Sequence, residues 1–155
     1  MNYRLYSFVN HLYMSPLQWG IQTAHCVSNI MAAVGSLKDD DPQSYQMVVD
    51  WAQSPTIIVC QGGNVSMLND LYHRLGPLAF TLALPYTKFH EDAESLGGVI
   101  TAVAVLVPEI MYDVETRQFP GGGLEFLRPD GSIIAQAFDP ELYDFLCVVK
   151  TARLA

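Results

Sequence analysis

Apolar residues along this chain fall into short continuous runs that alternate with longer segments of helical periodicity. The continuous runs predict strands at 5–9, 56–60, 78–84 and 99–107. Apolar positions that recur every three or four residues predict helices at 16–34, 42–52 and 64–75. The run at 56–60 is typical of a strand covered on both faces, and the longest run, 99–107, is expected to form a central strand.

Capping residues mark the starts of the helices. Ser15 and Asp41 each precede a proline, which suits the first helical position because the N–H that proline lacks has no partner there. Asn64 supplies the cap of the third helix. Gln18 stands three residues after Ser15, where the return partner of a capping box lies. These residues predict three helix N-termini.

Glycines, prolines and polar runs predict where the elements end. Gly35 is expected to stop the first helix, and Gly76-Pro77 the third. The acidic run at 38–41 is predicted to be a solvated loop, and Gly62-Gly63 a turn after the second strand. The polar segment 85–98 is predicted to be a loop that leads to the long strand.

The pattern is weaker in the last third of the chain. Pro129-Asp130-Gly131 predicts a hairpin turn between two apolar runs. Those runs are 124–127 and 132–137. A flexible loop is predicted at 120–123 and a last helix from Asp139, although the run at 145–149 fits a strand equally well.

These elements predict one α/β domain with three layers, α/β/α. Helices that alternate with apolar strands are typical of this class. The sheet is expected to be mixed and mainly four-stranded, because no helix separates the third predicted strand from the fourth. A hairpin and a helix form a C-terminal extension. The 155 residues are enough to bury a core without help from a metal or a disulfide.

The charge balance restricts the partners that the chain can have. Half of its residues are hydrophobic and 15% are charged, which excludes an intrinsically disordered protein. The formal net charge is −8, and the lysines and arginines form no cluster. Nucleic-acid-binding proteins gain most of their affinity by neutralising phosphates, so an extended grip on DNA or RNA is not expected.

The cysteines and histidines give no indication of a metal site. Cys26, Cys60 and Cys147 are far apart in sequence and have apolar neighbours, so we expect buried thiols in a reducing compartment. No spacing typical of metal ligands is present, and no cofactor is expected. The sequence has no recognisable secretory leader or membrane span, and a cytoplasmic location is predicted.

The first predicted helix is unusual because no charged residue lies between Arg4 and Lys38. Four polar residues share one helical face: Gln18, Gln22, His25 and Asn29. The neighbouring face is small and apolar and is expected to be buried: Gly20, Ala24, Val27, Met31 and Val34. The polar face is expected to be partly buried in a cleft or at a subunit contact. The alternative is a core helix whose polar groups are satisfied locally.

Several strings resemble those of the type-two peptidyl-tRNA hydrolases. Residues 10–14, Asn-His-Leu-Tyr-Met, are similar to the family's polar-Leu-x-Met turn, and residues 20–25, Gly-Ile-Gln-Thr-Ala-His, to its Ala-Ala-Gln-x-Ala-His helix. Residues 97–104, Gly-Gly-Val-Ile-Thr-Ala-Val-Ala, resemble its Pro-Gly-Thr-Val-Thr-Ala-Leu-Ala strand. Residues 123–127 resemble its closing short strand.

The resemblance covers residues 3–127 and leaves 128–155 as an extension without a counterpart. It implies a three-layer α/β fold and the hydrolysis of a carboxylic ester. The substrate implied is the ester between a peptide or amino acid and the terminal ribose at the 3′ end of tRNA.

The chain departs from the family at its basic positions. The family lysine regarded as catalytic falls on Gln18, and neighbouring family lysines fall on Tyr13 and Pro16. Three polar family residues are kept: Gln22, His25 and Thr101. A family aspartate falls on Phe89, or on Asp92 if a short deletion is allowed. Glutamine donates hydrogen bonds but brings no charge to an oxyanion or a phosphate.

The resemblance implies a catalytic set of four residues: His25, Gln18, Thr101 and Asp92. A histidine would act as the base, with His11 and His90 as alternatives, and the polar side chains would donate to the oxyanion. Ligand-binding residues are expected at four further positions: Gln22, Asn29, His11 and Lys88. Each of these residues also has a purely structural interpretation, as a satisfied core group or a solvated loop charge.

Two other classes of function stay open. The polar face of the first helix, with Trp19 and Tyr13 behind it, fits a non-catalytic module that binds a small nucleotide-like ligand, because aromatic rings stack on bases. The uncharged helix and the C-terminal extension also fit a homodimer interface, from which charge is depleted.

Overall fold

A mixed four-stranded sheet forms the middle layer of the computed structural model, which describes residues 2–113, 115–119, 121, 123–137 and 140–155. Its strands are β1 (Tyr3–Asn10), β2 (Ile57–Gly63), β3 (Tyr86–His90) and β4 (Ile100–Pro108). They lie in the order β2-β1-β4-β3. β1 runs parallel to β2 and antiparallel to β4, and β3 runs antiparallel to β4. The predicted α/β class with a mixed sheet is confirmed.

Helices cover both faces of this sheet. They are α1 (Pro16–Asp40), α2 (Pro42–Gln53), α3 (Val65–Leu82), α4 (Ala93–Leu96), α5 (Glu109–Tyr112) and α6 (Pro140–Thr151). α1 and α2 pack side by side on one face, while α3 lies on the opposite face and contacts α6. β4 is buried at every residue, as expected of the central strand.

Three predicted caps are confirmed by hydrogen bonds from the first turns of the helices. Ser15 Oγ accepts from Gln18 N, Asp41 Oδ1 accepts from Ser44 N, and Asn64 Oδ1 accepts from Met67 N. Each side chain satisfies a backbone N–H that has no partner within its helix.

The first helix is longer than predicted. Gly35 does not stop it, and the helix continues through Lys38 to Asp40, so most of the predicted acidic loop is helical. The chain leaves the helix at Asp41, which is both the C-cap of α1 and the N-cap of α2. A glycine costs only about 1 kcal/mol in a helix interior, and the packing of α1 on the sheet outweighs that cost.

The predictions for 76–90 are wrong. Pro77 lies inside α3, which continues to Leu82 instead of ending at Gly76, so the predicted strand 78–84 is mostly helical. Leu75 and Ala79, on either side of the proline, are buried in the core, and this packing retains the helix. The third strand is instead Tyr86–His90, within the predicted polar loop.

β2 lies at the edge of the sheet and is partly exposed, not covered on both faces as predicted. It also includes Gly62-Gly63, which were expected to form a turn. A Cβ atom at Gly62 would lie 2.9 Å from the carbonyl carbon of Phe8, so only glycine fits there. The outer edge of β2 pairs with residues 153–155: Gln61 N donates to Arg153 O and Ala155 N to Val59 O.

A second sheet follows the first, and only part of it was predicted. Its antiparallel strands are β5 (Glu115–Phe119), β6 (Gly123–Leu127) and β7 (Ile133–Ala137), in that order. The predicted hairpin is β6–β7, with Gly131 at φ +83° and Ser132 N donating to Asp130 Oδ1. β5 had no counterpart among the predicted elements.

Residues 145–149 belong to α6, so of the two predicted possibilities this run forms a helix and not a strand. Cys26 and Cys60 are buried as expected, but Cys147 is exposed because it lies on the outer side of this helix. Pro120 and Gly122 of the predicted loop, and the predicted cap Asp139, lie outside the described residues.

Replacing Ala83 with glycine is expected to stabilise the fold. Ala83 caps α3 with φ 52°, a left-handed conformation in which a Cβ atom is strained. We expect Ala83→Gly to raise the free energy of unfolding by about 0.5–1 kcal/mol, measured by urea denaturation. The control is Ala32→Gly, an exposed site inside α1, which should lower that free energy by about 1 kcal/mol. The same sign for both variants would contradict this account.

Candidate functional site

The face of α1 that packs on the sheet differs from the predicted one. Its buried residues are Gln22, Thr23, Cys26 and Ile30. Three residues of the face predicted to be buried are exposed: Gly20, Ala24 and Met31. Of the polar stripe, Gln22 is buried, whereas the other three members are exposed: Gln18, His25 and Asn29.

The sheet beneath α1 carries small side chains. Ser7 pairs with Ala104 in the β1–β4 ladder, and Ala102 lies two residues before Ala104, so all three side chains point to the same face. Ser7 Oγ and Thr23 Oγ1 lie 2.8 Å apart and form a buried hydrogen bond. The small side chains allow the helix to approach closely, and the hydrogen bond determines its rotation.

A β-bulge at Thr101 turns its side chain toward α1. Phe89 pairs with Ala102, but the next residue, His90, pairs with Ile100, so Thr101 is an extra residue in β4. Strict alternation would have pointed Thr101 to the α3 face. Instead, its hydroxyl donates to Gln22 Oε1 over 2.7 Å, and both side chains are buried.

Gln22 connects Thr101 to the carboxylate of Glu91, which follows β3. Gln22 Nε2 donates to Glu91 Oε1 over 3.0 Å, and the Tyr13 hydroxyl donates to the same oxygen over 3.1 Å. Burial, and then the hydrogen bond and the charge of Glu91, raise the pKa of Tyr13 to about 12, so Tyr13 stays protonated and keeps donating. We call Tyr13, Gln22, Glu91 and Thr101 the carboxylate cluster.

Hydrogen bonds hold the turn between β1 and α1 and thereby position Tyr13. Trp19 Nε1 donates to the carbonyl of Tyr13 over 2.8 Å. Asn10, buried at the end of β1, accepts from Leu12 N and donates to the carbonyl of Ile100. Tyr13 therefore comes from an ordered turn that is attached to the start of β4.

His25 stacks on a ring of β3. Its imidazole lies parallel to the ring of Phe89, with the centroids 4.0 Å apart, and the histidine is exposed. One turn further along α1, Asn29 Nδ2 donates to the carbonyl of Lys88. The exposed imidazole therefore sits beside the carboxylate cluster on a rigid support.

Other predicted site residues do not join the cluster. Lys88 points to the α3 face, where its ammonium group lies 4.4 Å from the ring centroid of Tyr72. Gln18 bonds with Ser15 at the start of α1, and the carbonyl of Asp92 accepts from Leu96 N in the turn of α4. His90 Nδ1 donates to the carbonyl of Gly98.

A cavity of about 380 Å³ adjoins Tyr13 and contains His11 in its wall. Its other walls include Asn10, Trp19 and Gln61. A larger cavity of about 600 Å³ lies elsewhere, between the second half of α1, α2, α3 and the start of β3. Tyr13 therefore lines the smaller cavity, whereas Gln22, Glu91 and Thr101 do not.

The sequence predictions named Gln22 and Thr101, which the structure brings together, but they did not name Glu91. The carboxylate of the cluster belongs to Glu91, the residue before the Asp92 that the resemblance implied. No lysine or arginine of the described residues takes part in the hydrogen bonds of the carboxylate cluster. The family lysine is therefore not replaced by another cation within this network.

Two kinds of chemistry find no support in the described part of the chain. Burial raises the pKa of Cys26 to about 12 and that of Cys60 to about 11, so neither thiol is an activated nucleophile. No group of three or more His, Cys, Asp or Glu side chains among the described residues could hold a metal ion. Among the residues that the structure describes, no helix is long and apolar enough to cross a membrane.

Comparisons with known proteins give no assignment. No protein-family model matches this chain, and no curated protein sequence does.

Removing the Thr101 hydroxyl is expected to destabilise the fold. Thr101→Val keeps the shape of the side chain but leaves the buried oxygen of Gln22 without this donor. We expect it to lower the free energy of unfolding, measured by urea denaturation, by about 1–3 kcal/mol. The control Thr101→Ser keeps the hydroxyl and loses only a methyl group, so it should be the more stable variant. Equal losses for the two variants would mean that packing, not the hydrogen bond, holds this site.

Proposed function

We propose that this chain hydrolyses the ester between an acyl group and the 3′-terminal ribose of tRNA. One observation carries the proposal. Gln22 and Thr101, which the resemblance to type-two peptidyl-tRNA hydrolases implicated, lie 79 positions apart in sequence and are joined by a buried hydrogen bond that continues to a carboxylate. A structural role alone would not require a carboxylate at the accessible end of this chain of hydrogen bonds.

Glu91 is the base in this proposal. Tyr13 and Gln22 both donate to Oε1 and hold the carboxylate in one orientation. Among the described residues no side chain is bonded to Oε2, so that oxygen can accept a proton from the attacking water. The second N–H of the Gln22 amide is a donor for the oxyanion of the tetrahedral intermediate.

His25 then serves for recognition instead of acting as the base. Its ring is exposed and is supported from behind by Phe89, and such a surface stacks on a nucleobase. The terminal adenine of tRNA is the base adjacent to the ester. His25 therefore positions the substrate, while Glu91 performs the proton transfer.

The charge distribution limits how much of the tRNA is recognised. The net charge is −8, and Lys88, the only cation predicted near the site, faces the opposite side of the sheet. A protein that neutralises few phosphates gains little affinity from the tRNA body. The proposed substrate is therefore recognised through its acyl group and terminal nucleotide.

The test compares release of labelled N-acetylamino acid from full-length tRNA and from the trinucleotide CCA. We expect hydrolysis of both at similar kcat/KM with little dependence on salt, and a loss of about 100-fold or more for Glu91→Gln. Glu94→Gln is the matched control because it removes an exposed carboxylate three residues away. Gln18→Lys should raise kcat/KM for full-length tRNA only, since it places a charge at the start of α1.

If the folded wild-type protein releases the labelled amino acid from neither substrate, the enzymatic proposal is overturned. A non-catalytic module that binds a nucleotide-like ligand is the second candidate, and the absence of a cation from the carboxylate cluster favours it. In that case adenosine should raise the melting temperature of the wild type but not of His25→Ala.

We also infer that α1 mediates the association of two copies. Its outer face has no charged residue before Lys38 and carries large exposed side chains, with Leu17 74% and Ile21 46% exposed. Light scattering should give twice the chain mass of 17.2 kDa for the wild type and the monomer mass for Leu17→Glu. The control is Met67→Glu, which replaces a 57% exposed residue of α3 and should leave the dimer intact. A monomeric wild type would contradict this inference.

A further inference from the structure

A cavity of about 480 Å³ lies between β2, α3 and α6, on the face of the sheet opposite to α1. The proposed hydrolysis does not use it. Its polar walls are formed by Arg74, Arg153, Asp70, Thr151 and Gln61. Its apolar walls are formed by Phe8, Met67, Leu71, Val148 and Ala152.

Two arginines line this one cavity in a chain that has only eight lysines and arginines. Arg74 and Arg153 are both exposed, and neither forms an ion pair with any residue that the structure describes. Asp70 is the carboxylate in the wall, one helical turn before Arg74. Among the lining residues that the structure describes, the charges thus sum to +1, whereas the whole chain carries −8.

The backbone holds both arginines in place. Arg74 belongs to α3, whose neighbouring Leu75 is buried in the core. The carbonyl of Arg153 accepts from Gln61 N over 2.9 Å, so residue 153 is attached to the edge of β2. Gly62 and Gly63, at the end of β2, also line the cavity.

We propose that this cavity binds a phosphate monoester with an aromatic or apolar body. Two guanidinium groups outnumber the carboxylate of Asp70, and their planar N–H groups bind phosphate oxygens in pairs. The apolar wall on the other side accepts the body of the ligand. A carboxylate has two acceptor oxygens and one charge, so it offers less to the two guanidinium groups than a phosphate monoester with three terminal oxygens.

The first experiment titrates the full chain with phenyl phosphate in a calorimeter, with inorganic phosphate and benzoate as comparison ligands. Phenyl phosphate should bind most tightly, because inorganic phosphate lacks the body and benzoate lacks the second charge. Arg74→Gln and Arg153→Gln should each weaken phenyl phosphate binding by about tenfold or more. Asp70→Asn should strengthen it, since the opposing carboxylate is removed.

Two control variants test whether phenyl phosphate binding depends on this cavity, and not on the overall charge of the chain or on the proposed hydrolytic site. Lys38→Gln removes one positive charge at the far end of α1 and should leave the affinity unchanged. Glu91→Gln should also leave it unchanged, whatever its effect on ester hydrolysis. The proposal is overturned if phenyl phosphate does not bind, if benzoate binds equally well, or if Lys38→Gln weakens binding as much as Arg74→Gln.

Discussion

The position of α1 depends on the small side chains of the sheet beneath it. Ser7 and two alanines leave room for the helix, and the Ser7–Thr23 hydrogen bond determines which helical face turns inward. Gln22 then comes within reach of the Thr101 hydroxyl, which the bulge in β4 turns to the same side. A larger side chain at any of these sheet positions would force the helix outward, and overpacking of this kind also destabilises a core. The small side chains of the sheet are therefore required both for the packing of α1 and for the position of Gln22 in the candidate site.

The two faces of the sheet carry different electrostatic environments. The α1 face presents a carboxylate held by neutral donors, whereas the α3 face presents Lys88 above an aromatic ring and two arginines around a cavity. Neighbouring residues of a strand point to opposite faces, so Lys88 and Phe89 belong to different sites although they are adjacent in sequence. A chain with few cations can thus keep them away from one site and concentrate them at another.

The sequence predicts those parts of the fold in which local and tertiary preferences agree. The central strand β4 and the three helix caps were predicted because uninterrupted apolar runs and cap–proline pairs have few alternative structures. The end of α3 was wrong because burial of Leu75 and Ala79 outweighs the local effect of Pro77. Gln22 and Thr101 were predicted for the site, but Glu91 was not. Its role depends on the path of the chain between β3 and α4, and no local pattern indicates that path.

The strand order has a consequence for how the chain folds. β1 precedes the other three strands of its sheet in sequence, yet it lies inside the sheet, and Leu5 pairs with Ile57 on one side and Leu106 on the other. β1 and β4 are separated by about a hundred residues, and the sheet cannot form until both strands are present. Contacts so distant in sequence slow folding because a long loop must be closed first. During synthesis, β1 therefore has an unpaired apolar edge until β4 arrives, and this is the period in which the chain is most exposed to aggregation.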